Sequence, residues 1–302
     1  MQFYFLKLGY AILEFFSYVK SIFTISTGGY LTQAIYAVLG GAFITIIPLY
    51  CKIFKQKEED FMSTCVWHWI LVFGIFYFII DGVFLHGFLR RSITIKNKAF
   101  DSTEIKVEFG NFFNKAGWHV VAVNEFFDNA VDNLHVAEKS LHGQMIKKFW
   151  KNPDDWYKKI LLKANLNPIE SIIRDSPAKQ DKFPIGTTST VSSSSHQFIC
   201  VVLSHTDIIN LQASADVNDL LTALKAALQR ARSVCAGHPV IFPIIGGSLS
   251  RTGINKNMLL NLLIMTIFEE LKKGLITEKI RIILPYKEFS KYNLNSIKKD
   301  WN

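Results

Sequence analysis

Two apolar stretches near the N-terminus are too long for a strand and too uniform for a helix that keeps one face in water. Tyr30–Tyr50 runs 21 residues without a charge, and residues 65–89 follow with only His68, Asp81 and His86 interrupting them. Each is long enough to cross about 30 Å of hydrocarbon as a helix rising about 1.5 Å per residue. The link between them, Lys52 to Asp60, is short and charged, so the pair predicts a hairpin that spans a membrane twice. Residues 3–23 are aromatic-rich but carry Lys7, Glu14 and Lys20. At 100° per residue Lys7 and Glu14 gather on one side, as in a helix lying in the bilayer interface; a third span is the competing reading. The expected divisions are therefore 1–25 as an interfacial helix, 26–98 as a two-span hairpin and 99–302 as a separate domain.

Beyond residue 100 the pattern changes to short apolar runs alternating with helical stripes. Strands are expected at Glu104–Phe109, 118–125, 183–191, 196–203, 239–245 and Lys279–Leu284. A helix opens at Ser140, and Asp216 or Asn218 caps another whose apolar stripe is Leu220, Leu221, Leu224 and Leu228. Asn255 to Lys273 is a third, ended by Gly274. The serines at 192–195 mark a hairpin loop. Alternating strands and helices predict an α/β domain with a mixed sheet of about six strands.

Glycine or polar residues stand at the carboxyl ends of several strands: Gly110-Asn111, Asn124 to Asp128, Gly186-Thr187-Thr188, and Gly246-Gly247-Ser248-Leu249 with Arg251. Open α/β sheets bind ligands at that edge. An apolar strand, a glycine-rich loop and a helix beginning near Asn255 form the arrangement in which bare backbone N–H groups meet a phosphate. Each loop alone could be an ordinary turn; four together favour a ligand site.

Charge changes the picture little. The formal net charge is +9, but the lysines are scattered without aromatic interleaving, which argues against nucleic acid and suits anionic lipid. Arg90, Arg91, Lys96 and Lys98 after the second span lean the following domain towards the cytosol. Cys51, Cys65, Cys200 and Cys235 show no CxxC and no metal-ligand spacing with histidine. Ala37-x-x-x-Gly41 offers helix-packing spacing. Asp81 is neutral, or snorkels with help from a neighbouring helix, or serves an oligomeric bundle or pore.

Together these residues resemble the macro domain, a three-layer α/β/α fold that binds ADP-ribose. Gly110-Asn111-Phe112 stands where the family has Gly-Asp-Ile, and 119–124 is similar to the strand ending in a ribose-reading asparagine. Residues 242–250 are similar to its phosphate loop. The match covers roughly 104–290 and is nearest the two-transmembrane macro-domain effectors of bacterial Thoeris anti-phage systems. The resemblance implies a multi-pass protein of the bacterial inner membrane with a cytosolic macro domain. It would receive an ADP-ribose-type messenger, with histidine-ADP-ribose a candidate, that a TIR-domain partner makes from NAD, and as a homo-oligomer would then disrupt the lipid bilayer. Amides of Gly246, Gly247, Ser248 and Leu249 would hold the diphosphate, with Arg251, Thr187 and Thr188 donating and Asn111 reading adenine. Asn124 and Asp128 would bind ribose hydroxyls, although Asp128 could be a turn former. His142 would meet the ligand's variable group or cap its helix. The Asn-x-x-x-Gly-Gly-Gly loop of macro-domain hydrolases is replaced by Glu125-Phe-Phe-Asp128, which favours binding over turnover; a membrane-anchored ADP-ribosyl hydrolase is the alternative.

Overall fold

The computed structural model describes residues 74–76, 80, 90–96, 102–162, 167–247 and 253–301. Residues 74–76 and 80 are helical. The whole first expected span, the rest of the second, residues 3–23, Asp81, Ser248, Leu249 and Arg251 lie outside the described residues. Among the described residues no helix is long and apolar enough to cross a membrane.

Arg91–Asn302 forms one unit, so the domain begins before the expected boundary at 99. Its first strand, β1 (Ser92–Ile95), buries Ile93 and Ile95 on one face, a period of two. β2 (Glu104–Phe109) and β3 (Trp118–Asn124) follow, then α1 (Leu141–Phe149), α2 (Pro153–Leu162) and the short β4 (Glu170–Ser171) and β5 (Asp181–Lys182). Next come β6 (Thr188–Ser192), β7 (Gln197–Thr206), β8 (Ala213–Ser214), α3 (Val217–Val234), β9 (Val240–Pro243), α4 (Lys256–Lys272), β10 (Lys279–Leu284) and α5 (Leu294–Trp301).

The main sheet has the order β1-β2-β10-β9-β3-β7-β6, with β8 pairing on β7. β2, β10, β9, β3 and β7 are mutually parallel, and β1 and β6 close the two sides antiparallel. The sheet is mixed, as expected, but larger than six strands. β6 is shorter than the stretch 183–191 because residues 184–187 form a turn, Thr187 N–H donating to the Pro184 carbonyl at 3.1 Å.

Helices cover both faces. Val121 and Val123 of β3 and Phe198, Cys200 and Val202 of β7 pack with Met145, Ile146, Trp156 and Ile160 of α1 and α2. The residues of opposite parity, Val120, Ile199, Val201 and Leu203, are buried too; they face the other side of the pleat, where α3 lies on β7 and α4 on α3. The sequence explains where these helices start. Ser140, Asp216 and Asn255 each accept the N–H of the residue three positions on, and Asp219 returns a bond to Asp216. Leu220, Leu224 and Leu228 are buried along α3, joined by Ala223, Ala227 and Ala231, while Leu221 is only half-buried.

Candidate functional site

Five parallel strands put their carboxyl ends on one edge of the sheet. That edge carries, in order, Gly110-Asn111 after β2, the turn after β10, Ile244 to Gly247 after β9, Glu125 to Asp128 after β3, and the end of β7. β6 runs antiparallel, so its start is on the same edge: Gly186 N–H donates to the Val202 carbonyl at 2.9 Å and Thr188 pairs with Val201. The described parts of the four loops singled out in the sequence therefore share one edge of the sheet.

Two of their glycines have left-handed backbones, Gly246 with φ +86° and Gly186 with φ +85°, a region where only glycine is free of steric penalty. A Cβ at Gly186 would also meet Thr222 Cγ2 of α3 at 3.0 Å. Gly247 differs. A Cβ there would make ordinary contacts, 3.5 Å to Ile244 Cγ2 and 3.7 Å to Leu259 Cδ1, so local packing does not demand glycine. Thr187 and Thr188 are half-buried. Asn111 is exposed, and its Oδ1 accepts from Phe113 N–H at 3.1 Å, capping a 3-10 turn at Phe112–Asn114. Among the described residues its NH2 group and second lone pair take no partner.

The β3 end is built differently from an open ribose loop. The register with β7 shifts between Val123 and Asn124: Val123 pairs with Val202 and Asn124 with Ser204, so Leu203 is the extra residue of a bulge on β7. Asn124 Nδ2 donates to Asp128 Oδ2 at 2.8 Å, and Asp128 N–H returns to Asn124 Oδ1 at 3.0 Å. Asp128 is fully buried. Arg174 Nη1 and Nη2 grip its two oxygens at 3.1 and 3.0 Å, and Lys179 N–H donates to Oδ1 at 2.8 Å. Each oxygen thus takes two donors inside the protein, which corrects the expectation that Asp128 binds a ribose hydroxyl directly. Phe126 and Phe127 are buried as well, Phe127 at φ +50° against Phe183 and Phe126 with the Arg174 guanidinium 4.0 Å over its ring. Residues 125–128 form a packed corner.

His142 is likewise corrected. Ser140 caps the helix, and His142, 6% exposed, packs on Trp156 with centroids 5.1 Å apart. Burial lowers its pKa to about 4 despite the nearby Asp128 charge, so it is a neutral imidazole packed in the core.

Sequence reasoning did not reveal the link between Glu125, His205 and Asp219. Glu125 is buried and accepts Thr206 N–H at 2.9 Å; His205 Nδ1 lies 2.9 Å from its Oε2 and His205 Nε2 lies 3.5 Å from Asp219 Oδ1, with Lys182 Nζ 3.7 Å from Glu125. Burial pulls the imidazole's pKa down, but the hydrogen bond and charge of Glu125 and the charge of Asp219 outweigh it, leaving the pKa above 6.5. A raised pKa in the fold means a stabilising contribution that is full below about pH 6.5 and lost as pH rises through the folded value. The loss of melting temperature caused by His205→Gln should therefore be larger at about pH 6 than at about pH 8.5; equal losses would contradict the bridge. Neither Arg174 nor this bridge has a local signal, since their partners are 46 and 80 residues away.

The family model described as "Thoeris protein ThsA, Macro domain" matches residues 105–285. Thoeris protein ThsA of Bacillus amyloliquefaciens (strain Y2) is 23% identical over 237 residues, covering 76% of this chain and 77% of that protein. Among solved structures, the Oceanobacillus iheyensis macrodomain with ADP is similar at a TM-score of 0.41 and 14% identity, covering 70% of this chain and 100% of that one. The Trypanosoma brucei macrodomain in complex with ADP-ribose gives 0.43 at 8% identity, covering 66% and 69%.

Proposed function

This chain belongs to the family of the Thoeris ThsA macro domain, and we propose that it is a receptor for an ADP-ribose-type nucleotide in anti-phage defence. The observation that carries the reading is the convergence of four glycine or polar loops on the carboxyl edge of five parallel strands. Backbone amides at Gly246 and Gly247, continued by Ser248, Leu249 and Arg251, hold the diphosphate; Thr187 and Thr188 donate from the facing loop. Asn111 meets the adenine amino group and Asn124 the distal ribose. Histidine-ADP-ribose, produced from NAD by a TIR-domain partner, is the candidate messenger.

Binding without turnover is the favoured outcome, because the stretch that replaces the hydrolase loop is a buried corner held by Arg174 and offers no mobile glycine run to place a water. The apolar spans 30–50 and 65–89 anchor the protein in the bacterial inner membrane, with the macro domain cytosolic. Ligand arrival then drives homo-oligomeric hairpins, in an assembly that uses Asp81, to disrupt the bilayer.

Incubating the full-length chain with ADP-ribose and histidine-ADP-ribose tests this. Tight binding with recovery of intact ligand is expected; release of free histidine or ribose would replace the receptor by a membrane-anchored hydrolase.

A further inference from the structure

The β4–β5 arm makes a contribution to the edge that its sequence does not announce. Arg174, 7% exposed, leaves the arm to grip Asp128, and its Nη1 also donates to the Lys179 carbonyl at 2.8 Å. Asp128 in turn holds the Asn124 amide from both ends, accepting from its nitrogen and donating to its oxygen. The chain Arg174–Asp128–Asn124 therefore fixes which way the amide points. Among the described residues it leaves one N–H and one lone pair of Asn124, itself 8% exposed, uncommitted, beside the register shift where β3 meets the bulge of β7. A buried ion pair is a poor stabiliser compared with a well-packed apolar pair; its position four residues from a strand-end asparagine gives it another use. A vicinal diol needs one donor and one acceptor at fixed spacing, which a freely flipping amide does not supply.

We propose that Arg174 is a positioning residue which, through Asp128, orients Asn124 so that the site selects a nucleotide carrying a second ribose beyond its diphosphate over the diphosphate alone. This rests on the ADP-ribose reading above and adds its selectivity element.

The test compares ADP-ribose with ADP on the full-length chain by calorimetry. Wild type should prefer ADP-ribose. The paired variant Asp128→Leu with Arg174→Met removes both buried charges together; it should keep ADP affinity within about twofold and lose about tenfold or more of ADP-ribose affinity. Arg174→Lys, which retains charge but not the two-pronged grip, should lie between. A folded paired variant with the wild-type ratio of affinities would overturn the inference and leave the receptor reading standing. Should the pair fail to fold, an unchanged ratio in Arg174→Lys does the same. A wild type that binds both nucleotides equally overturns the inference alone; one that binds neither overturns the receptor reading with it.

Discussion

Replacing Gly247 by valine is expected to leave the melting temperature within about 3 °C of wild type and to weaken ADP-ribose binding by about hundredfold or more. The first half follows from geometry. Gly247 is not among the positive-φ glycines, and among the described residues the atoms nearest its added Cβ, on Ile244 and Leu259, lie at ordinary distances of 3.5–3.9 Å. The second half follows from the approach a diphosphate needs: amides can wrap an anion closely only where no side chain intervenes. Gly246→Val is the contrasting control. Its φ of +86° penalises any Cβ by about 1–2 kcal/mol, so it should lose stability and binding together. Calorimetry and thermal melting on both variants read the difference. Unchanged affinity in Gly247→Val would remove the phosphate-loop assignment.

The largest stability change is expected from Arg174→Met. Asp128 has a side chain only 1% exposed and would keep Lys179 N–H and the Asn124 amide but lose its cation. A buried charge stripped of its partner costs about 3–5 kcal/mol, which at about 2–4 °C per kcal/mol lowers the melting temperature by about 10 °C. Adding Asp128→Leu to the same chain should recover most of that loss, since the uncompensated charge goes with it. Denaturant unfolding of the two variants at neutral pH checks the ordering. If the single variant is as stable as wild type, the pair is not the lock described here.

Much of the fold was legible because its signals are local. β2 and β10 were placed to the residue by alternating apolar positions, and Ser140, Asp216 and Asn255 announce their helices through side chains that cap within one turn. β1 was hidden in a connector: Ser92 to Ile95 is four residues long and follows Arg90 and Arg91. The polar tail concealed α5, whose two buried apolar residues, Leu294 and Ile297, are joined by Trp301 stacked on Phe268 at 5.4 Å. Only the partner surface reveals that helix.

The site divides in the same way. Glycines at strand ends are readable because the backbone conformation they permit is a property of one residue. What Asp128 and His142 do is decided by groups far along the chain, so a carboxylate expected to meet ribose proves to hold an arginine, and an imidazole expected at the ligand proves to pack on Trp156. Both residues stand in the right region; their side chains are turned to inner tasks. The consequence is that Asn124, rather than Asp128, is left as the polar contact at the end of β3.

Calorimetric titration of the full-length chain with ADP-ribose, histidine-ADP-ribose and ADP is the most direct measurement. One site per chain, tighter binding of the two ligands with a second ribose than of ADP, and recovery of both unchanged are expected. Absence of heat and of any melting-temperature shift with all three nucleotides would contradict the receptor reading.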